Sequence, residues 1–396
     1  MKIGIVLSSS PGYSETFLTS KISGLQKQGH TVVLFCQDVR PDFSLCKTVT
    51  LPNSSTRSVY LPFKVIYTYL SLLFYIKSVY RFYQLEQNSK VPLKTILKKL
   101  YFNAAFLKSK LDWLHYGFGT LAIGREHIAQ ATGSKMAVSF RGFDIGVYPI
   151  KHPNCYDALW KTVDVIHVIS NDIKALLYKN NFKDEAPVIK ITPAIDIDFF
   201  NSTEKFLLKE DTKQFITIAR LHWKKGLDYT LEALALLKNE GVKFHYTIIG
   251  DGIELEHLKF TVHQLGLKEY VTFTGKLDKN EIKERLQTSS IYIQYSVQEG
   301  FCNAVLEAQA MGLLCVVSDA EGLAENVLDG KTGWVVPKRK PKELANSLEK
   351  LLYLPDHKKE AIMKGAIERV QQDFNVEKQQ LEFVRFYATN ELIRNK

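Results

Sequence analysis

Two cations in the second half of the chain have the spacing of a phosphate-binding loop. Arg220 and Lys225 follow the apolar run QFITIA and stand just before Gly226, which opens the helical pattern LDYTLEALALL. In a parallel α/β sheet, ligands bind beyond the carboxyl ends of the strands, where helix N-termini point backbone amides at them. A forked guanidinium and a compact ammonium at such a helix start predict a phosphate site, although two ordinary surface bases are the alternative.

Two acids, Glu299 and Glu307, follow a later apolar run within the segment EGFCNAVLE. With a helix that begins near Asn303, Glu299 precedes the helix, Glu307 lies inside it, and the free amides of residues 301–304 form an anion-binding nest. Eight residues at helical rise span about 12 Å. The paired carboxylates of glycoside hydrolases are only about 5–9.5 Å apart. Separate contacts to ligand hydroxyls are therefore expected, and two acids on a solvated helix are the alternative.

These residues need a doubly repeated β–loop–α–β framework to position them. One unit runs through a strand at 2–9, a helix at 16–28 and a strand at Thr31–Cys36, and a second begins at Gln214. Two such units predict two Rossmann-like domains joined by the polar stretch 201–212. In the second half we expect strands at 271–274, Ile291–Gln294, 315–318 and Trp334–Val336, with helices beginning near Asp278, Asn303, Gly322 and Lys342.

Length and composition agree with this framework. The chain has 396 residues, 45% hydrophobic and 24% charged, which suits two folded domains and excludes a disordered protein. Its five cysteines form no CxxC pair and no even set. This argues against a disulfide framework or a zinc site and predicts a reducing compartment. The start MKIGIVLSSS lacks a signal-peptide cleavage pattern, so we expect a cytoplasmic protein.

The net charge of +10 is concentrated in one region. Residues 57–110 hold ten Lys and Arg, one acid (Glu86) and twelve Phe and Tyr. Such a region could bind nucleic acid, attach to an anionic membrane surface, or form a solvated helix pair. The uncharged stretch 65–76 is too short for a bilayer span, which takes about 20 residues. No nucleic-acid motif accompanies it, so we favour attachment to the membrane surface and expect no nucleic-acid partner.

Four ordered motifs carry a family resemblance. The segments IARLHWKKGLDYTLEALALL, IIGDGIELEHL, EGFCNAVLEAQAMG and VVSDAEGLAENVLDGKTGWVV resemble those of retaining glycosyltransferases of the family-4 type, and the likeness is greatest to bacterial exopolysaccharide, colanic-acid and lipopolysaccharide-core enzymes. The resemblance implies an α/β chain of GT-B fold, with two Rossmann-like domains facing across a cleft. We accordingly expect an acceptor domain at 1–203 with a helical insertion at 57–110, a donor domain at 204–374, and a C-terminal helix at 375–396 packing back on the first domain.

The resemblance also implies roles for residues. Arg220 and Lys225 would hold the donor diphosphate and stabilise the departing nucleotide, and Glu299 would contact the donor sugar. From the spacing and the resemblance together, the expected donor-binding residues are Gly12, Gly250, Leu277, Gly300, Phe301, Cys302, Asn303 and Glu307. Glu307 would bind the ribose hydroxyls, and the backbone near Leu277 would meet the base. The co-substrate would be a UDP- or GDP-linked sugar, with no cofactor and no metal, because the cations and the helix dipole supply the positive charge.

Motifs in the first half are looser. DWLHYGFG resembles the family's His-containing strand end, and SFRGFD resembles its His-Gly-x-Asp turn, which makes His115, Arg141 and Asp144 candidates for the acceptor side of the active-site cleft. Arg141 stands where histidine is usual. A guanidinium cannot accept a proton near neutral pH, so Arg141 would only donate hydrogen bonds and charge.

Two further patterns suggest metals but have the wrong context. Asp196 and Asp198 match the Asp-x-Asp of metal-dependent glycosyltransferases, yet they follow Pro193 at the domain exit rather than a donor-site strand. His152 and Cys155 form only half a zinc site. No metal site is therefore predicted.

Together these features predict a cytoplasmic enzyme, peripheral at the inner membrane face, that transfers a sugar with retention from a nucleotide diphosphate to a lipid-linked or polysaccharide acceptor. Two alternatives stay open: a nucleotide-sugar 2-epimerase of the same fold, and a non-catalytic sugar-nucleotide binder. An epimerase would need only the soluble sugar nucleotide, and a binder would show no turnover.

Overall fold

The computed structural model describes residues 1–12, 16–52, 61–201 and 212–393. Most of the predicted linker at 201–212 and the first residues of the predicted 57–110 region lie outside these ranges. Contacts divide the chain into two units. Unit 1 comprises Met1–Ile191 and Gln380–Lys396, and unit 2 comprises Thr192–Gln379. Each unit has its own parallel sheet, which confirms the prediction of two Rossmann-like domains.

The strands of unit 1 are β1 (Lys2–Val6), β2 (Thr31–Cys36), β3 (Lys47–Thr50), β4 (Trp113–Tyr116), β5 (Lys135–Phe140), β6 (Val165–Val168) and β7 (Val188–Lys190). All are parallel, in the order β3-β2-β1-β4-β5-β6-β7. Central strands such as β4 are buried along their whole length because helices cover both faces of the sheet.

The helices of unit 1 between Thr16 and Lys179 are α1 (Thr16–Lys27), α2 (Leu61–Leu72), α3 (Ile76–Asn88), α4 (Leu93–Leu107), α5 (Gly119–Ala122), α6 (Ile128–Thr132), α7 (Gly142–Gly146), α8 (Tyr148–Lys151), α9 (Asp157–Trp160) and α10 (Asn171–Lys179). A 3₁₀ turn at Leu73–Tyr75 joins α2 to α3. The basic and aromatic region therefore forms helices α2 to α4, inserted between β3 and β4.

Unit 2 has a six-stranded parallel sheet. Its strands are β8 (Lys213–Ile218), β9 (Phe244–Ile249), β10 (Val271–Gly275), β11 (Ile291–Gln294), β12 (Leu314–Ser318) and β13 (Trp334–Val336), in the order β10-β9-β8-β11-β12-β13. Its helices are α11 (Leu227–Asn239), α12 (Leu255–Gln264), α13 (Lys279–Gln287), α14 (Asn303–Ala310), α15 (Pro341–Leu352) and α16 (Asp356–Asp373). The last helix of the chain, α17 (Val376–Ile393), carries Phe383, Phe386 and Tyr387 into the core of unit 1.

One predicted helix of unit 2 differs in type. The helix expected near Gly322 is a short 3₁₀ helix, Glu321–Glu325, and not an α-helix. The guanidinium of Arg369, on α16, donates to the carbonyl oxygens of Glu325 and Asn326 at 2.7 and 2.6 Å. These two hydrogen bonds fix the backbone at the end of the 3₁₀ helix.

No helix within the described ranges combines the length and the apolar character needed to cross a bilayer. Helix α2, the most apolar part of the basic region, has 12 residues. A span takes about 20.

Candidate active site

The loops after β8 and β11 meet at the centre of the unit 2 sheet. Strand β8 has β9 on one side and β11 on the other, so the order in which strands are added to the sheet reverses there. Open α/β sheets bind ligands at such a switch point. Gly226 has a φ of +60°, and a Cβ there would lie 2.2 Å from the carbonyl oxygen of Tyr295. The amide of Val297 donates to the carbonyl oxygen of Lys224 at 2.7 Å. The two loops are therefore joined backbone to backbone.

Lys225 and Glu299 face each other across this junction. The Lys225 ammonium donates to Oε2 of Glu299, and the two side chains are only 19% and 16% exposed. Burial lowers the pKa of Lys225, but the Glu299 carboxylate more than offsets it, so the pKa of Lys225 is raised and the ammonium stays charged. Arg220 is exposed on the same loop, close enough that its charge lowers the pKa of Lys225. The structure thus brings together the two cations and the first acid that the spacing singled out.

A chain of polar side chains, missed by the sequence analysis, holds the Glu299 carboxylate. The Tyr292 hydroxyl donates to Gln294 Oε1 at 2.9 Å, and Gln294 Nε2 donates to Ser296 Oγ at 2.9 Å. Ser296 Oγ donates in turn to Glu299 Oε2 at 3.4 Å. Tyr292, Gln294 and Ser296 are almost completely buried. The available signal was polar residues at every second position of an otherwise apolar strand, which places them on one face.

The segment after β12 fixes the backbone of the Glu299 loop. The Glu299 amide donates to Glu321 Oε2 at 2.9 Å, and the Lys338 ammonium donates to Glu321 Oε1 at 3.0 Å. The Cys302 amide donates to Oδ1 of the buried Asn326 at 3.1 Å, while Asn326 Nδ2 donates to the Cys302 carbonyl oxygen at 2.9 Å. These partners come from a separate segment and could not be read from the motif itself.

The two hydrogen bonds between Asn326 and Cys302, referred to below as the clamp, correct the prediction that the amides of residues 301–304 form an anion-binding nest. The amide of Cys302, expected among the donor-binding groups, already donates to Asn326. Helix α14 begins at Asn303 as predicted, and no side-chain hydrogen bond caps it at Cys302. An anion site at this helix start would use the amides of the first turn, beginning with Asn303. The side chains of Phe301 and Cys302 are buried, so any contact of these residues to a ligand would be through the backbone.

Glu307 lies one turn into α14, beyond Asn303. Burial raises its pKa to about 7, against the opposing charge of Lys279. Lys279 also stacks over the Phe199 ring at 4.0 Å and pairs with Asp196 Oδ2 at 3.5 Å. Asp196 therefore has a structural role, since its other oxygen accepts the Phe199 amide at 3.0 Å. Among the described residues there is no cluster of His, Cys, Asp or Glu that could hold a metal ion.

Close packing between two loops explains why position 250 is a glycine. Its φ is +138°, and a Cβ there would lie 1.9 Å from the carbonyl oxygen of Ala219 in the loop after β8. The glycine therefore lets two loops at the carboxyl edge approach each other, and donor contact stays a prediction. Gly300 lies half-buried between Glu299 and Phe301, and Leu277 lies half-buried between the end of β10 and the start of α13.

His115 is a core residue of unit 1, which corrects its assignment to the cleft. It is completely buried, with Nδ1 2.6 Å from the hydroxyl of Tyr387 and Nε2 2.8 Å from Ser139 Oγ. The Lys21 ammonium lies 3.1 Å from Nδ1. Burial, followed by the Lys21 charge, holds the pKa of His115 well below its usual range. The imidazole is therefore neutral and ties α17 to the sheet, so it cannot touch a substrate directly.

The other unit 1 candidates lie near the carboxyl ends of β1 and β5. The Arg141 guanidinium stacks on Phe17, 3.7 Å from the ring centre. Asp144 is buried, which raises its pKa to about 6, and it accepts a hydrogen bond from Thr120 at 3.2 Å. A Cβ atom added at Gly12 would lie within 2.7 Å of the Arg40 guanidinium, so the two residues are in close contact. Substrate contact by these residues stays a prediction.

The geometry of unit 2 defines a class of protein. A Rossmann-like sheet that presents cations, a carboxylate and an uncapped helix start at its switch point, paired with a second Rossmann-like unit, is the arrangement of GT-B glycosyltransferases. Residues 198–369 match the family model described as glycosyl transferases group 1. This match and the relatives described below support a family-4-type glycosyltransferase of GT-B fold.

Individual relatives agree with this assignment. The amylovoran biosynthesis glycosyltransferase AmsK of Erwinia amylovora is 30% identical over 275 residues, which cover 67% of this chain and 66% of AmsK. A UDP-Gal:α-D-GlcNAc-diphosphoundecaprenol α-1,3-galactosyltransferase of Escherichia coli is 29% identical over 176 residues, or 41% of this chain and 45% of that enzyme. The match to AmsK thus spans slightly less than two thirds of its length.

Solved structures agree on the fold. HepE of Anabaena, crystallised with UDP and glucose, superposes with a TM-score of 0.71 at 16% identity, covering 98% of this chain and 100% of HepE. The lipopolysaccharide glycosyltransferase WaaG superposes with a TM-score of 0.64 at 15% identity, over 96% of this chain and 98% of WaaG. At these identities the likeness establishes the GT-B fold alone.

Proposed function

We propose that the protein is a retaining hexosyltransferase of cell-surface polysaccharide synthesis. It would move a sugar from a nucleotide diphosphate, UDP- or GDP-linked, to a lipid-linked or polysaccharide acceptor. The observation that carries this proposal is the junction of Lys225 and Glu299 at the switch point, with Arg220 beside it and the start of α14 next to it. The names of AmsK and of the diphosphoundecaprenol-dependent galactosyltransferase support the substrate class.

The Lys225–Glu299 ion pair indicates how the donor diphosphate would bind. A diphosphate brings two or more negative charges to a site where Lys225 has one carboxylate partner and Arg220 is exposed. The phosphates would replace Glu299 as the partner of the Lys225 ammonium. Arg220 would bind them as a forked donor, and the first amides of α14 would complete the site. Glu299, released from Lys225 and still held by Ser296, would accept hydrogen bonds from the sugar hydroxyls.

Catalysis would follow from charge placed where the leaving group forms. The bond between the anomeric carbon and the diphosphate oxygen breaks, and the acceptor oxygen forms a new bond on the same face. The acceptor proton passes to the departing phosphate, so Arg141 need not act as a base. Arg220 and Lys225 would stabilise the nucleotide diphosphate as its charge develops, which is the role that we propose replaces a metal ion.

Transfer is tested by incubating the protein with UDP- and GDP-sugars and an undecaprenyl-diphosphate-linked sugar, with product linkage read by NMR. We expect an α-configured donor to give an α-linked product that forms only with the acceptor present. Interconversion of the sugar nucleotide without acceptor would indicate the epimerase instead. Tight nucleotide binding without turnover on any acceptor would indicate a binding protein.

We further propose that unit 1 attaches to an anionic membrane surface through the exposed face of α2 and the following turn, referred to below as the apolar face. Its side chains recur at helical spacing, with Phe63 and Tyr67 each 73% exposed, Leu70 56% exposed and Phe74 89% exposed. The exposed bases Lys64 and Lys77 flank this face. An apolar stripe beside basic residues is typical of helices that lie in the membrane interface.

Vesicle sedimentation tests this attachment. We expect the wild type to sediment with phosphatidylglycerol vesicles and the Lys64→Glu/Lys77→Glu variant to lose most of that binding. The matched control is Lys259→Glu/Lys268→Glu, which reverses two exposed bases of unit 2. Unchanged sedimentation of the first variant, or an equal loss in both, would contradict the attachment.

A further inference from the structure

We propose that a lysine-lined cavity in unit 1 binds the phosphate of an anionic phospholipid headgroup. The cavity has a volume of about 300 Å³. It adjoins the apolar face, and the inference rests on the membrane attachment proposed above. It adds a specific headgroup site to what would otherwise be general electrostatic attraction.

The cavity lies at the amino-terminal edge of the unit 1 sheet. Lys2 and Lys47 are the first residues of β1 and β3, and Lys108 and Lys110 lie in the connection that leads from α4 into β4. Substrates of open α/β sheets bind at the opposite, carboxyl edge. The cavity is therefore separate from the positions of the acceptor-side candidates, which follow the ends of the strands.

The positive charge of the residues that line the cavity favours the binding of an anion. Four of its ten described lining residues are lysines, and none of the ten is Asp or Glu. The neighbouring Asp112 carboxylate accepts the backbone amide of Lys2 at 2.6 Å. An anion bound in this cavity would offset the repulsion between the four positive charges that line it. Lysine ammonium groups commonly bind phosphate as point charges, and the Ser109 side chain adds a hydroxyl to the lining.

The surroundings favour a lipid over a soluble anion. Tyr75 lines the cavity and belongs to the same 3₁₀ turn as Leu73 and Phe74, which are 63% and 89% exposed. The Lys108 ammonium donates to Ser71 Oγ of α2 at 3.1 Å, which fixes the cavity against the helix that carries the apolar face. A phospholipid presents a phosphate directly beside acyl chains, and this arrangement places a phosphate site directly beside exposed apolar side chains. The remaining wall is apolar, contributed by residues such as Val33 and Val49.

Titration with a monomeric lipid tests the cavity. Dihexanoyl phosphatidylglycerol, used below its critical micelle concentration, should bind the full-length protein saturably with a stoichiometry of one. The Lys47→Ala/Lys110→Ala variant should bind at least tenfold more weakly. The matched control, Lys94→Ala/Lys98→Ala, removes two exposed lysines of α4 that do not line the cavity and should bind like the wild type. Inorganic phosphate should bind more weakly than the lipid.

The outcomes separate this inference from the membrane attachment. An absence of saturable lipid binding by the wild type, or an equal loss in both variants, overturns the headgroup site. Inorganic phosphate that binds as tightly as the lipid overturns the lipid assignment. If vesicles still sediment the wild type in these cases, the attachment through the apolar face stands alone. Because both cavity lysines substituted here are exposed, an unchanged thermal unfolding midpoint serves as the check that the variant is folded.

Discussion

Replacing Asn326 by alanine tests whether its hydrogen bonds to the Cys302 backbone hold the Glu299 loop in place. Asn326 is completely buried, and its side chain satisfies both the amide and the carbonyl oxygen of Cys302. Alanine would leave two backbone groups without partners in a buried position. Each such group costs about 1–3 kcal/mol. We therefore expect the Asn326→Ala variant to lose about 2–6 kcal/mol of unfolding free energy.

The assay is urea denaturation followed by circular dichroism, with the two units fitted as separate transitions. The matched control is Asn280→Ala, at an exposed position of α13, which should change stability by no more than about 0.5 kcal/mol. Nucleotide affinity of the folded Asn326→Ala variant should also fall, because the loop that carries Glu299 would no longer be fixed. A loss below about 1 kcal/mol, or one equal to that of the control, would refute the clamp.

Three further predictions address pH, backbone and the C-terminal helix. Because burial raises the pKa of Glu307 to about 7, nucleotide binding should tighten as the pH rises through that value. The unfolding free energy should instead fall between about pH 4.5 and 7, because the carboxyl group ionises at lower pH in the unfolded chain than in the folded one. Calorimetry at several pH values should show that the pH dependence of nucleotide binding disappears in Glu307→Gln. Gly226→Ala should lower the urea midpoint clearly more than Gly241→Ala, because both glycines have positive φ but only Gly226 would clash with a carbonyl oxygen; equal effects would contradict the close loop contact. Tyr387→Phe should cost about 0.5–1.5 kcal/mol of unfolding free energy by removing one hydrogen-bond partner of the buried His115, whose Nδ1 keeps the contact with Lys21, and no change would contradict the tie between α17 and the sheet.

The sequence predicted much of the site because consecutive parallel strands end at the same edge of a sheet. Arg220, Lys225 and Glu299 each follow a strand whose apolar run could be recognised, so their proximity followed from topology alone. The start of α14 could be placed for the same reason. The pairing of Lys225 with Glu299 needed the exact approach of the two loops, which depends on the close contact at Gly226.

The remainder depends on contacts between distant segments. Asn326 acts on Cys302 from 24 residues away, and His115 meets Tyr387 at a separation of 272 residues. No local pattern reveals such partners. His115 was assigned to the cleft from its motif, whereas a histidine in a strand covered on both faces can equally be a satisfied core residue. The helix expected near Gly322 is a 3₁₀ helix, and the Arg369 contacts at its end come from 43 and 44 residues further along the chain.

Calorimetric titration with UDP, GDP and ADP tests the donor site most directly. It should be run with and without EDTA on the wild type, on Glu307→Ala and on Glu256→Ala, an exposed acid of α12 that serves as the control. We expect one nucleotide to bind, EDTA to have no effect, and only Glu307→Ala to weaken the affinity. No binding, or binding that requires a divalent ion, would contradict the assignment of the site and direct attention to Asp196 and Asp198.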